Sequence, residues 1–194
     1  MKIKLTLTEE MLGTKPADKE VFATYIASKA PDGDKRKEEL DTAESREETG
    51  TTVFHRDSKG RPIIYDYMIK GMFKDACGSL NRCDGTKSKT LKAYKTTIDG
   101  VIFVSPRQIS CVLPKGGKVG ICERPLRCQT PMGPRVALAR SETVPAGTTL
   151  TIDIEIMAKS LEPIVKEWLD YGSKRGLGAW RNSGKGKFTW KKFK

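Results

Sequence analysis

Between residues 172 and 187 the chain sets Gly176, Gly178, Gly184 and Gly186 among Lys174, Arg175, Arg181, Lys185 and Lys187, with Trp180 inside the run. Glycines let a backbone approach a phosphate closely and offer it consecutive N–H groups, while the cations neutralise it. An indole in such a loop can stack on a base. The G-x-G here follows a helical pattern and precedes a strand, the reverse of the dinucleotide fingerprint, and the P-loop spacing is absent. The competing reading is a flexible loop with Trp180 folded back onto the core.

Catalytic and metal chemistry find less support. His55 is the only histidine and sits beside an expected turn with Arg56 and Asp57. A histidine near a nucleic-acid surface can serve metal-independent RNA cleavage, but a turn histidine is commonly just solvated. A magnesium-dependent nuclease needs several convergent carboxylates, and Asp153 and Glu155 share one strand face for which solvent exposure accounts equally well. Cysteines 77, 83, 111, 122 and 128 include no CxxC pair, so neither a structural zinc site nor a disulfide framework is read from them. The expectation is a non-enzyme with no metal and no cofactor, carrying reduced thiols in the cytoplasm.

Charge fits a polyanionic partner. The 194 residues carry a net +12, and residues 51–194 hold 27 basic against 12 acidic side chains, whereas residues 1–50 hold 9 against 12. The last 24 residues contain 8 Lys/Arg and no acid. Such asymmetry points to nucleic acid before membrane. No stretch approaches 18 apolar residues, so no transmembrane helix is expected, and Met1–Thr8 alternates where a signal peptide would be continuously apolar.

The elements that must hold these residues follow from periodicity. Ile3, Leu5 and Leu7 alternate with Lys and Thr as in a half-buried strand. Thr14 and Pro16 read as a helix start, with Val21, Phe22, Tyr25 and Ile26 as its apolar stripe up to Pro31. Residues 31–50 read as a charged flap. Asp57–Gly60 reads as a hairpin turn between Val53-Phe54-His55 and Pro62-Ile63-Ile64. Asp66 is expected to cap a helix with Ile69, Met72, Phe73, Ala76, Cys77 and Leu80 at helical spacing. From 91 to 157 the pattern reads as β, with Val101–Val104 and Leu150/Ile152/Ile154/Ile156 as strands, and 105–135 as an irregular projecting loop or bent hairpin. Ser160 is expected to cap a final helix carrying Leu161, Ile164, Val165, Trp168 and Leu169, with Gly172 ending it, and Phe188–Trp190 to form a strand. The order predicts an α+β fold in a single domain over 1–194. A ferredoxin-like plait accommodates it if the middle strands are a large β-rich insertion.

Gly176-Leu177-Gly178-Ala179-Trp180-Arg181-Asn182-Ser183-Gly184-Lys185-Gly186-Lys187-Phe188, following an amphipathic helix, resembles the glycine-rich loop of the RAMP superfamily, the repeat-associated proteins of CRISPR effector complexes. Gly60-Arg61-Pro62-Ile63-Ile64 through Ile69-Lys70-Gly71-Met72-Phe73 is similar to that family's P-x-I-P-G-S-S-L-K-G-x-x-R segment. Glu142-Thr143-Val144-Pro145-Ala146-Gly147-Thr148-Thr149-Leu150, followed by an alternating strand, is similar to its E-x-V-P-x-G-x-x-F segment. These matches keep their order over about residues 60–190, but Tyr65-Asp66-Tyr67-Met68 stands where the family has Pro-Gly-Ser-Ser. The resemblance implies a modified RRM-like core, stand-alone and divergent, that binds single-stranded RNA or DNA and self-associates into a filament or a multisubunit nucleoprotein complex. Some relatives cleave RNA with an aspartate after the first strand, where this chain has Asp18, Asp32 and Asp34. Lys70, Arg175, Arg181, Lys185 and Lys187 are then the phosphate ligands, Gly176, Gly178, Gly184 and Gly186 shape the loop, and Trp180 or Tyr67 stacks on bases. The competing function is a protein-interaction module that binds or imitates a CRISPR effector subunit.

Overall fold

Alternation dictates the central strand, and its partners follow from the same rule. In a computed structural model, which describes residues 1–17, 51–130 and 133–193, Ile3, Leu5 and Leu7 of β1 (Lys2–Leu7) are buried. β11 (Thr149–Ile156) pairs antiparallel with β1, setting Leu150 opposite Leu5 and Ile152 opposite Ile3. On the other edge of β1, β12 (Phe188–Phe193) sets Phe188 opposite Leu7 and Trp190 opposite Leu5. β7 (Ile102–Ser105) completes the sheet in the order β12-β1-β11-β7. Directly paired residues share a face, so one apolar surface runs across all four strands.

Two helices cover it. α1 (Asp66–Leu80) contributes Ile69, Met72, Phe73, Ala76 and Cys77, and α3 (Glu162–Arg175) contributes Ile164, Val165, Trp168 and Leu169. They meet where Phe73 and Trp168 lie 5.7 Å apart and Gly172 packs against the Met72 sulfur. Strand, helix, strand, strand, helix, strand, with the first and third strands central, is consistent with a ferredoxin-like type of α+β fold.

The intervening segments build two further sheets. β2 (Met11–Leu12), β10 (Gly133–Val144), β4 (Thr51–Val53) and β3 (Lys15–Pro16) form one in that order, with β9 (Gly120–Thr130) hairpinned onto β10. β5 (His55–Arg56), β6 (Pro62–Tyr65) and β8 (Gln108–Ser110) form the other. The Asp57–Gly60 turn is as expected: the Asp57 carboxylate accepts N–H bonds from Lys59 and Arg61 at 2.9 and 2.8 Å. The stretch 105–135 thus holds β8 and β9. The flap at 31–50 lies outside the described residues, as do Val21, Phe22, Tyr25 and Ile26.

Several local expectations are corrected. Lys15–Pro16 is an edge strand and not a helix start, a place where proline's missing N–H costs nothing. Asp66 is the first helical residue and not its cap, with its carboxylate taking the Tyr67 N–H at 2.9 Å and facing Arg107 at 3.6 Å. Ser160 lies in a 3-10 turn ahead of α3, whose entry is eased by Pro163 in the first turn. Gly172 does not end α3. It is there because a Cβ would strike Met72, and Gly176, at φ 88°, is the terminating residue.

Residues 94–101 are helical and not β: they form α2 (Tyr94–Val101), with a 3-10 turn (Lys87–Thr90) ahead of it. Thr96, Thr97, Ile98 and Val101 gave this stretch a β-branched look, yet Thr97 bonds its hydroxyl to the Ala93 carbonyl at 3.0 Å. Glu167 anchors the turn by accepting the Lys87 and Ser88 N–H groups. Burial pulls the Glu167 carboxyl upward, but the Ser88 hydroxyl and these amides outweigh it and hold it below the usual range.

Candidate nucleic-acid interface

The glycine-rich loop is a built structure. From Gly176 the chain turns back onto residues 8–12: the Gly186 N–H donates to the Glu10 carbonyl at 2.8 Å, Ala179 N–H to the Leu12 carbonyl at 3.2 Å, and Thr8 N–H to the Lys187 carbonyl at 2.9 Å. Leu177 N–H closes the loop on the Gly186 carbonyl at 2.9 Å. Gly176, Gly178, Gly184 and Gly186 all have positive φ. A Cβ on Gly186 would overlap the Leu177 carbonyl, and one on Gly178 would overlap the Leu12 carbonyl. At these positions glycine is needed for approach to the chain's own backbone, a purpose different from the phosphate approach read from sequence. Leu177 is buried, whereas Trp180 is 40% exposed, so the indole is not folded into the core.

The loop's cations are held in place by carboxylates from elsewhere in the chain. Asp75 of α1 accepts from Arg181 at 2.9 Å and Arg175 at 3.4 Å, and Arg175 also bonds Asn182. Lys185 donates to Glu10, a bond that raises the ammonium's pKa. Lys187 is exposed, and no carboxylate of the described residues pairs with it. Lys70 and Tyr67 stand apart from this cluster, on the first turns of α1 and about 8–12 Å along its axis from Asp75 at 1.5 Å per residue. Lys70 lies 5.1 Å from the Phe103 ring and 3.5 Å from the Asp99 carbonyl, and Tyr67 stacks on Tyr65 at 5.6 Å.

Arg124 on β9 was not singled out by sequence reasoning. Its guanidinium lies 5.0 Å from the Trp180 ring centre and donates to Ser141 at 3.0 Å. Fifty-odd residues separate it from the loop, and the chain of pairings from Ala179 through Leu12 of β2 to β10 and then β9 brings it there. Asp75 and Glu10 were missed for the same reason, having no local pattern that marks them.

His55 is buried on β5, edge-on to Tyr65 at 4.7 Å, and not solvated in a turn. Burial, and then the charge of Lys15, push its pKa down to about 3. Burial likewise pushes the Cys111 thiol up to about 12. Cys77, Cys83, Cys111 and Cys122 are free thiols. Among the described residues no His/Cys/Asp/Glu group could hold a metal ion. None of their helices is long and apolar enough to cross a membrane. Asp18, Asp32 and Asp34 lie outside the described residues.

No protein-family model matches the chain, and no curated protein does. Its fold is similar to that of a subunit in a type III-B Cmr-beta complex bound to cognate target RNA, at TM-score 0.58 and 12% identity, covering 100% of this chain and 58% of that one. It is also similar to a subunit of a type IV-B CRISPR complex, at TM-score 0.54 and 12% identity, covering 98% of this chain and 88% of that one. The chain spans 58% of the first of these and most of the second. The chain therefore shares the fold of these CRISPR-complex subunits.

Proposed function

We propose that the chain is a non-catalytic, single-stranded nucleic-acid-binding protein with an RRM-like modified plait, taking RNA in preference to DNA. It works in the cytoplasm as part of a multisubunit nucleoprotein complex or filament. The observation that carries this is the built glycine-rich loop, which gathers Arg175, Arg181, Lys185, Lys187 and the exposed indole of Trp180 at one site of a CRISPR-effector type fold. Lys70 and Tyr67 extend the contact along α1. The outer face of the sheet carries Lys2, Lys4, Thr151, Asp153 and Glu155 on its two central strands, and its exposed aromatic rings, Phe103 and Phe193, stand on the edge strands, so the loop supplies the indole and the sheet's centre supplies no ring. Contacts of this kind are largely blind to sequence.

A second reading draws on a different observation. Arg175, Arg181 and Lys185 already have carboxylate partners, and Ile121 and Leu138 are exposed on one face of the β9–β10 hairpin. Both features suit a protein that binds or imitates an effector subunit. Purification separates the two. The binder emerges with a raised 260/280 nm absorbance ratio in high-mass particles, and the imitator emerges free of nucleic acid and captures effector subunits.

A further inference from the structure

Most cations around the loop face a carboxylate: Arg140 has Glu123, Lys185 has Glu10, and Arg175 and Arg181 share Asp75. Arg124 does not. No carboxylate of the described residues pairs with it, and its Nε is buried with no hydrogen-bond partner. It is nonetheless fixed, since Nη1 donates to the Ser141 hydroxyl at 3.0 Å and that hydroxyl is bonded to Thr52 at 2.7 Å. A positioned, half-buried guanidinium without a counter-charge is a standing demand for an anion, and a planar fork answers best to a phosphate or carboxylate.

What lies over it narrows the choice. The guanidinium is 5.0 Å from the Trp180 ring centre. Trp180 is the one non-glycine residue with positive φ among the described residues, at 54°. That conformation is disfavoured for a bulky side chain and persists only when its surroundings impose it. Here they do: Ala179 is pinned to Leu12, and the Trp180 carbonyl accepts the Ser183 N–H at 3.1 Å. The fold therefore holds an indole out of the core, 40% exposed, directly against an uncompensated cation. An aromatic plane beside a guanidinium matches a nucleotide, with its base on the indole and its phosphate on the arginine.

We propose that Arg124 and Trp180 form a single-nucleotide platform joining the β9–β10 hairpin to the glycine-rich loop, with Ser141 and Thr52 as the residues that position the arginine. This rests on the nucleic-acid-binding reading and adds to it a site where one base is stacked. The test uses the full chain, labelled oligouridine RNA, and a strand of equal length whose central nucleotides are abasic. Wild type should bind the uridine strand roughly five- to 150-fold more tightly than the abasic one, the range for one stacked base. Trp180→Ala should erase that difference by weakening only the uridine strand, and Trp180→Phe should keep most of it. Arg124→Ala should weaken both strands and flatten the salt slope by about 0.7, and Arg124→Lys should restore the slope. Wild type should show tryptophan quenching on binding, and Trp180→Phe should remove the Trp180 share of it.

Three outcomes overturn the platform. In the first, wild type binds both strands equally. In the second, Trp180→Ala and Arg124→Ala bind like wild type while Arg181→Ala/Lys185→Ala/Lys187→Ala weakens binding, which leaves the parent reading standing. In the third, wild type binds neither strand, and the parent reading falls with it.

Discussion

Glycines with the same backbone sign do different work here, and their replacement separates the two. Gly60 has φ 72° with open space where a Cβ would go, so Gly60→Ala should cost about 1 kcal/mol of conformational strain alone. Gly186 adds overlap with the Leu177 carbonyl, so Gly186→Ala should lower the melting temperature clearly further. Equal shifts would show that the loop does not pack as described. His55 gives a second expectation. Its folded pKa of about 3 lies below the unfolded value near 6.5, so the unfolded chain takes up the proton first. The stability contributed by keeping this ring neutral is complete above about pH 6.5 and is lost as pH falls toward 3. Denaturant midpoints measured between pH 7 and 4 should fall for wild type and fall less for His55→Phe. The sequence told that His55 exists and lies near a turn. It did not tell that the ring packs against Tyr65, because that contact arises from pairing between β5 and β6.

At the scale of elements, α1 and α3 were legible because their apolar residues recur at helical spacing, and β1 and β11 because theirs alternate. Their packing yields a direct prediction. Trp168 is fully buried, touches Phe73 and donates its indole N–H to the Ser88 hydroxyl at 2.9 Å. Trp168→Ala should cost about 3–5 kcal/mol in chemical denaturation, combining a cavity with an orphaned hydroxyl. A loss under about 1 kcal/mol would mean the helices do not meet there. The 3-10 turn and α2 were not legible, because Ile98 is the one buried residue of α2 and the turn is held from outside by Glu167. The helix ends were misread for a similar reason: Gly172 looked like a stop signal, yet its lack of a side chain is used by Met72 on the neighbouring helix. Local pattern conveys periodicity, and it carries no record of what another element presses against that face.

For the whole molecule, the +12 net charge pointed to a polyanion, and the fold gathers part of that charge on the glycine-rich loop while pairing some of it with carboxylates. The candidate loop was visible in sequence as glycines and cations. The carboxylates that hold it, Asp75 and Glu10, and the arginine that stacks on Trp180 were not, since they lie far away in the chain. Because Arg175, Arg181 and Lys185 are paired in the free protein, strand binding must exchange carboxylate for phosphate. Asp75→Asn should therefore tighten RNA binding a few-fold at low salt, and weaker binding would show that Asp75 serves to orient the arginines. The most direct test of the central claim is the anisotropy of a labelled single-stranded RNA titrated at several salt concentrations. Wild type should lose affinity steeply as salt rises, and Arg181→Ala/Lys185→Ala/Lys187→Ala should flatten the slope of log affinity against log salt by about 2 units, at roughly 0.7 per phosphate contact. Binding with the same slope in both proteins, or no binding by wild type, would contradict the account.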